Sequence, residues 1–167
     1  TDGYQYNKKR INSLPLVAEI VESLPALQEV IIFPYLEAEP DLSQVPQAKL
    51  WQDFVDPSAT SMEFAQLPFN HPLYIMYSSG TTGEPKCIVH TAGGTLLQHL
   101  KEHLLHTDLT RNDTLFYYTT CGWMMWNWLV SGLAAGACLV LFDGSPFAPE
   151  PKALWDLAEA ESISIFG

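Results

Sequence analysis

Basic residues are scarce in this chain of 167 residues. It has 8 Lys and Arg against 19 Asp and Glu, which gives a formal net charge of −11. Nucleic acids and anionic membrane surfaces are bound by clustered Lys and Arg side chains. The short cluster Lys8-Lys9-Arg10 is better explained as a solvated turn before a helix. We therefore expect neither a nucleic acid nor an anionic membrane among the partners.

Long apolar runs and cysteines are also few. No stretch of about 20 apolar residues occurs, so the sequence predicts no membrane span. The three cysteines, Cys87, Cys121 and Cys138, are odd in number, and each lies within an apolar run. This pattern predicts buried free thiols in a reducing compartment rather than a disulfide framework.

Hydrophobic residues, in contrast, make up 47% of the chain, which is enough to bury one sizeable core. The length favours a single domain. The chain starts at Thr1 rather than at a methionine, and it stops at Gly167, directly after a strand-like run at residues 163–166. We interpret it as an excised segment of a longer protein.

The hydrophobic pattern alternates between helices and strands. A helix starts after Ser13 and a strand covers residues 29–33, whereas the prolines spread through residues 35–70 indicate an irregular connection. Strands at residues 114–120, 137–142 and 163–166 then alternate with helices at 124–135 and 151–161. Such alternation predicts an α/β fold, a largely parallel sheet with flanking helices.

Residues 77–86 read YSSGTTGEPK, and this stretch carries the clearest chemical signal. Its glycines allow positive φ and bring backbone N–H groups close to an anion, its hydroxyls are further donors, and Lys86 adds a positive charge. The apolar runs on either side predict buried strands, so the unit is strand, loop, strand. The alternative is a hairpin whose Gly and Thr serve turn geometry alone. The predicted phosphate-binding residues are Ser78, Ser79, Gly80, Thr81, Thr82, Gly83 and Lys86.

The next helix is predicted to start after Gly94, because Thr95 and Gln98 have capping-box spacing. It directs Leu97, Leu100 and Leu104 inward. His99, His103 and His106 form one stripe on it. Three imidazoles could ligate zinc, but no cysteine or carboxylate joins the stripe, so a polar stripe without a metal is the favoured interpretation.

A second chemical signal is the segment CGWMMWNW at residues 121–128, directly after a predicted strand. Ligands of open α/β sheets bind at the carboxyl ends of strands, where these side chains can line an apolar pocket. Trp and Met at helical spacing are more often part of a core, and composition alone favours that alternative.

The loop YSSGTTGEPK resembles the phosphate-binding signature of the adenylate-forming superfamily, which includes acyl-CoA synthetases, luciferases and the adenylation domains of peptide synthetases. Within it, residues 6–25, 71–106, 119–146 and 154–167 resemble the acetoacetyl-CoA synthetase family. The resemblance implies that residues 1–167 are part of one N-terminal AMP-binding domain and that the C-terminal domain with the catalytic lysine is absent. We therefore expect the isolated chain to be inactive and to contain no catalytic residue.

The resemblance also implies an activity for the full-length protein. ATP would activate acetoacetate to acetoacetyl-adenylate, and CoA would then form acetoacetyl-CoA, with Mg²⁺ as the ion. The reaction would take place in the cytosol, and its product would be used for lipid synthesis from ketone bodies. The partners are thus small-molecule substrates, and the oligomeric state stays open. The residues assigned to an acyl or CoA pocket are Trp123, Met124, Met125, Trp126 and Asn127. The last four replace the Val, Thr, Gly and His of acetate-using enzymes, which implies a differently shaped pocket.

Three alternatives remain at this point. One is another short-chain acyl-CoA synthetase, and a second is a different nucleotide enzyme, such as a phosphotransferase that releases ADP rather than AMP. The third is a non-catalytic nucleotide-binding or interaction module.

Overall fold

The computed structural model describes residues 1–78 and 83–167. The chain forms two compact units, Thr1–Glu63 and Phe64–Gly167. The boundary lies within the segment 35–70, which the sequence predicts to be irregular. The assignment of residues 1–167 to a single domain stays a prediction.

The first unit opens with a hairpin in which β1 (Gly3–Tyr6) pairs antiparallel with β2 (Lys9–Asn12). Asn7 and Lys8 connect the strands with φ of 48° and 65°. Positive φ at both central residues is what a type I′ hairpin turn requires, and asparagine tolerates it well. Lys8, Lys9 and Arg10 are therefore hairpin residues, not a turn before a helix as the sequence predicts.

Helix α1 (Leu14–Glu22) confirms the predicted start after Ser13. The side chain of Ser13 makes no capping bond, and the carboxamide oxygen of Asn12 instead accepts a hydrogen bond from the N–H of Leu14 at 2.9 Å. Leu14 and Val21 enter the core of this unit, together with Ile32 and Val45.

The predicted strand at residues 29–33 is confirmed as β3 (Val30–Ile32). It pairs in parallel with β4 (Ala48–Leu50), which leads directly into the single-turn helix α2 (Trp51–Phe54). Both β4 and α2 lie in the segment predicted to be irregular. Elements of three or four residues are too short to show a hydrophobic period, so the sequence pattern misses them.

Asp2 fixes the backbone that follows β3. Its buried carboxylate accepts the N–H groups of Tyr35 at 2.7 Å, Leu36 at 3.0 Å and Glu37 at 2.9 Å. Burial by itself raises the pKa of the Asp2 carboxyl, but the bonds from Leu36, Tyr35 and Glu37 together outweigh burial and lower the pKa below its ordinary value.

The second unit begins with β5 (Pro72–Ser78) and β6 (Lys86–Thr91), which pair antiparallel. The prediction of two strands around a loop is confirmed. The prediction that they are buried is wrong for this chain, because Ile75 is 62% and Val89 54% exposed. A two-stranded pair has two faces, and among the described residues only part of one face is covered.

Helix α3 (Ala92–Lys101) starts directly after β6 and continues into a single π turn at Glu102–His106. Thr95 therefore lies inside the helix and the predicted capping box is wrong. The early start is set by Gly93, whose N–H donates to the carbonyl of Phe69 at 3.0 Å while the Phe69 ring occupies the space that a Cβ would need. Only glycine allows this approach.

A parallel sheet completes the second unit. Its strands are β7 (Thr114–Phe116), β8 (Cys138–Val140) and β9 (Ile165–Phe166), in the order β8-β7-β9. Helix α4 (Met124–Ser131), followed by a 3₁₀ turn at Gly132–Ala135, connects β7 to β8, and α5 (Ala153–Ala160) precedes β9. The predicted α/β class is confirmed. The core residues are Leu109, Leu115, Leu129 and Ala137.

The prediction of buried thiols is wrong. Cys87, Cys121 and Cys138 are free and exposed. Cys87 lies in β6, where its apolar neighbours Ile88 and Val89 are exposed as well, so an apolar run in the sequence does not ensure burial. No helix among the described residues is long and apolar enough to cross a membrane.

Candidate active site

The described flanks of the YSSGTTGEPK loop have the geometry of a hairpin end. Ser78 closes β5 and lies opposite Lys86, the first residue of β6. Gly83 has φ of 150°, a value that favours glycine, as the sequence predicts. Lys86 is exposed and forms no ion pair within the part of the chain that the structure describes. The other predicted phosphate-binding residues, Ser79, Gly80, Thr81 and Thr82, lie outside the described residues.

A cleft of about 680 Å³ opens where β6, α3, β7 and α4 meet. Tyr117, the residue that follows β7, reaches it from the carboxyl end of that strand, the edge at which ligands of α/β sheets bind. His90 contributes from β6, while Thr95 and His99 contribute from α3. Chemically, this cleft is apolar on the α4 side and polar on the α3 side.

The predicted pocket residues divide between the cleft and its surroundings. Met124 and Met125 line the cleft, at the start of α4. Trp126 packs against the core around Leu115. Trp123 is exposed, and the side-chain amide of Asn127 donates to the sulfur of Met76 at 3.5 Å. The structure thus brings two of the five residues into the cleft.

Three polar atoms along the inner side of α3 and its π turn are buried and have no hydrogen-bond partner among the described residues. They are Thr95 Oγ1, His99 Nδ1 and His103 Nδ1. Residues four apart lie on one face of a helix, so the three form a continuous polar row. Leu97 and Leu104, which the sequence places inward, are 62% and 45% exposed, whereas His103 is fully buried. The inward direction predicted for these two leucines is wrong for this chain.

His103 is held by α4. Its Nε2 lies 2.9 Å from the carbonyl oxygen of Trp128 and 3.0 Å from Oγ of Ser131. A carbonyl only accepts, so Nε2 carries a proton and donates it. The rings of His103 and Trp128 pack with centroids 4.4 Å apart. His103 therefore supports Trp128, which lines the cleft.

Both inward histidines favour the neutral state. Burial lowers the pKa of His103, against the smaller opposing effects of its bond to Trp128 and of Glu102. Burial also lowers the pKa of His99, and His103 and His90 add to this effect while Glu102 opposes it. His106 is exposed and does not line the cleft. In the described ranges, no group of three His, Cys, Asp or Glu side chains is placed to hold a metal ion.

Thr95, His99 and Tyr117 line the cleft and were not predicted from the sequence, whereas Trp128 belongs to the predicted segment CGWMMWNW but not to the five residues assigned to the pocket. The histidine spacing gave a signal, since it marks one helix face. The direction of that face could not be read from the pattern, because apolar residues are expected to point inward and here the polar ones do.

The first unit contains a separate hollow of about 440 Å³, lined by Asp2, Arg10 and Glu37 among others. Its charged side chains already have hydrogen-bond partners, including Asp41, which accepts the N–H of Ser43 at 2.9 Å. The carboxylate of Asp2 is bonded to backbone N–H groups, and Arg10 donates to Glu37 at 2.6 Å. These groups stabilise the fold, so the cleft of the second unit is the candidate site.

Known proteins with similar sequences or structures match this chain over nearly its whole length. It is 52% identical to the acetoacetyl-CoA synthetase of Gallus gallus over 97% of this chain and 25% of the relative. It is 47% identical to malonamoyl-CoA synthetase of Penicillium aethiopicum over 88% of this chain and 21% of the relative. A solved acetoacetyl-CoA synthetase from Streptomyces lividans superposes with a TM-score of 0.88 at 45% identity, over 99% of this chain and 25% of that protein.

The chain thus spans about a quarter of the length of the curated relatives it matches. Its likeness to them is a likeness to one part of a larger protein. Residues 6–167 match the family described as AMP-binding enzyme. The chain belongs to the AMP-binding enzyme family.

Proposed function

We propose that the full-length protein is an AMP-forming ligase that activates acetoacetate with ATP and transfers the acetoacetyl group to CoA. The similarity to acetoacetyl-CoA synthetases over 97% of this chain carries the proposal. In the first step a carboxylate oxygen of acetoacetate attacks the α-phosphorus of ATP, and pyrophosphate leaves. In the second step the CoA thiol attacks the acyl carbon, and AMP leaves. No covalent bond to the protein is needed.

In this proposal the loop between β5 and β6 binds the ATP phosphates. Lys86 would balance negative charge that develops on the leaving pyrophosphate, and backbone N–H groups and hydroxyls of residues 78–83 would donate hydrogen bonds. The support is the exposed ammonium of Lys86, which has no ion-pair partner among residues 1–78 and 83–167, and the positive φ at Gly83. Binding energy from the loop then orients the α-phosphate toward the carboxylate.

The acyl chain is proposed to enter the cleft beside Met124 and Met125. Flexible thioether side chains shape a pocket of irregular outline. The names of two relatives bear on its substrate, since acetoacetyl and malonamoyl groups both carry a carbonyl at the third carbon. We propose that the cleft accepts short acids of this type.

The proposal also includes Mg²⁺ as the ion that accompanies ATP and the cytosol as the location of the protein. Within residues 1–78 and 83–167 no cluster of three acidic, imidazole or thiol groups is placed to hold a metal, so none of these residues is proposed as a Mg²⁺ site. The cytosol follows from the family resemblance, and cell fractionation tests it.

The test is acetoacetate-dependent exchange of pyrophosphate into ATP by the full-length protein. Lys86→Ala should lower the exchange rate by about 100-fold or more, because one charged contact to the transition state is lost. Lys86→Arg keeps the charge and should retain much more activity. Lys152→Ala, at an exposed lysine that pairs with Asp156, is the control for loss of a positive charge.

Two results would reject the proposal. Release of ADP in place of AMP would indicate a phosphotransferase, and absence of nucleotide binding would indicate a non-catalytic module. If Lys86→Ala exchanges pyrophosphate at the wild-type rate, the loop is a turn without a phosphate role.

A further inference from the structure

The cleft wall contributed by α3 contains buried polar atoms that no group in residues 1–78 or 83–167 hydrogen-bonds. Thr95 is 8% exposed and lines the cleft, and its hydroxyl makes no hydrogen bond among the described residues. A threonine inside a helix commonly satisfies its hydroxyl with the carbonyl four residues earlier, but this one does not. His99, one turn further along the same wall, likewise has a buried and unpartnered Nδ1.

Such groups reduce stability unless something binds to them, because a buried donor or acceptor has lost its water. The opposite wall is apolar, with Met124, Met125 and Trp128. A ligand that satisfies both walls therefore places an apolar part against α4 and a hydrogen-bonding group toward α3.

We infer that Thr95 and His99 bind the second carbonyl, at the third carbon of the acid, and thereby select 3-oxo acids over saturated acids of the same length. This inference rests on the proposed function. The hydroxyl of Thr95 and an imidazole N–H are donors, and a ketone oxygen is an acceptor only. The neutral state of His99, which follows from its burial, suits an uncharged ketone.

His103 has a different role. It does not line the cleft, and its Nε2 is already bonded to the carbonyl of Trp128. It is a positioning residue for Trp128 and for α3. Thr95 and His99 are the two members of the polar row that a ligand in the cleft can reach.

The experiment compares kcat/KM for acetoacetate and butyrate in the full-length protein. The two acids have the same number of carbons and differ by a carbonyl in place of a methylene. Thr95→Val keeps the side-chain shape without the hydroxyl and should reduce the acetoacetate to butyrate ratio by about tenfold or more, since a site built to hydrogen-bond a substrate discriminates strongly. Thr95→Ser keeps the hydroxyl and should hold the ratio close to that of the wild type.

His99 provides an independent pair of variants. His99→Leu should lower the same ratio, and His99→Gln, which retains a side-chain N–H, should restore part of it. His106→Leu, at an exposed position beyond the cleft, controls for loss of an imidazole. The ratio is measured within one protein, so partial unfolding scales both activities by the same factor and the ratio still reports the specificity of the folded fraction.

The outcomes distinguish a failure of this inference from a failure of the proposed function. Wild-type protein that activates acetoacetate, with Thr95→Val and His99→Leu lowering both acids equally, overturns the inference and leaves the proposed function intact. Wild-type protein that activates butyrate but not acetoacetate overturns the proposed function, and the inference with it. If Thr95→Val yields no folded protein, the His99 pair decides.

Discussion

Trp126 and Trp128 show how much a two-residue difference matters on a helix. Residues two apart do not share a face. Both rings pack against the core, but only Trp128 also packs on His103 and lines the cleft, which Trp126 does not reach. The sequence could identify the tryptophan-rich segment as chemically unusual. It could not say which ring reaches the cleft, since a run that is apolar all round gives no direction.

His103 is the residue whose protonation should couple most directly to folding. It is fully buried, and burial lowers its pKa in the folded protein. Below the pKa of an unfolded histidine, near 6.5, the unfolded chain takes up a proton that the folded protein does not. Stability should therefore be fully present above about pH 6.5 and decrease as the pH falls from there toward the lower folded pKa.

The measurement is the thermal unfolding midpoint at pH 7.5 and pH 5.5. His103→Gln, which keeps a side-chain donor for the carbonyl of Trp128, should show a smaller loss between the two pH values than the wild type. His106→Gln, at an exposed position, should behave as the wild type does. Equal losses in the wild type and His103→Gln would contradict the prediction.

At the level of elements, positions with a clear local signal were predicted well. Gly136 is an example, since it directly follows the helix predicted over residues 124–135, and glycine commonly ends a helix. In the structure that segment is α4 with its 3₁₀ turn, and Gly136 follows with φ of 82°. The start of α3 was missed because it depends on Phe69, a contact from outside the helix that no local spacing encodes.

Gly136→Ala should destabilise the protein by about 1 kcal/mol or somewhat more. Alanine is strained at positive φ, and its Cβ would lie 3.3 Å from Cβ of Arg111. Gly122→Ala is a matched control, because a Cβ there meets only Oγ1 of Thr120, at 3.8 Å. Urea unfolding measures both variants. A destabilisation of Gly122→Ala as large as that of Gly136→Ala would show that the φ of Gly136 is not the cause.

At the level of the whole molecule, the alternation of strands and helices predicted the α/β class, and the motif predicted the family. The division into two units was not predicted. It depends on which residues contact each other across long sequence separations, and composition does not report this. The prolines of residues 35–70 nevertheless marked the segment that contains the boundary.

The connection between the units should be the first site of proteolysis. Residues 55–71 contain no helix or strand, and all of them are exposed, including Met62 and Phe64 at 74% each. Proteases need several residues of backbone free of hydrogen-bonded structure, so exposure alone is insufficient. Tyr77 is 69% exposed, but it pairs with Cys87 of β6, and the bond after it should resist cleavage.

Brief digestion of the 167-residue chain with chymotrypsin should therefore cut first between residues 62 and 69 and yield two main products, which intact mass measurement identifies. Phe64→Ser should slow cleavage after residue 64 while neighbouring sites in the segment are still cut. Early cleavage after Tyr77 or within α5 would show that residues 55–71 are not the most accessible backbone of the chain.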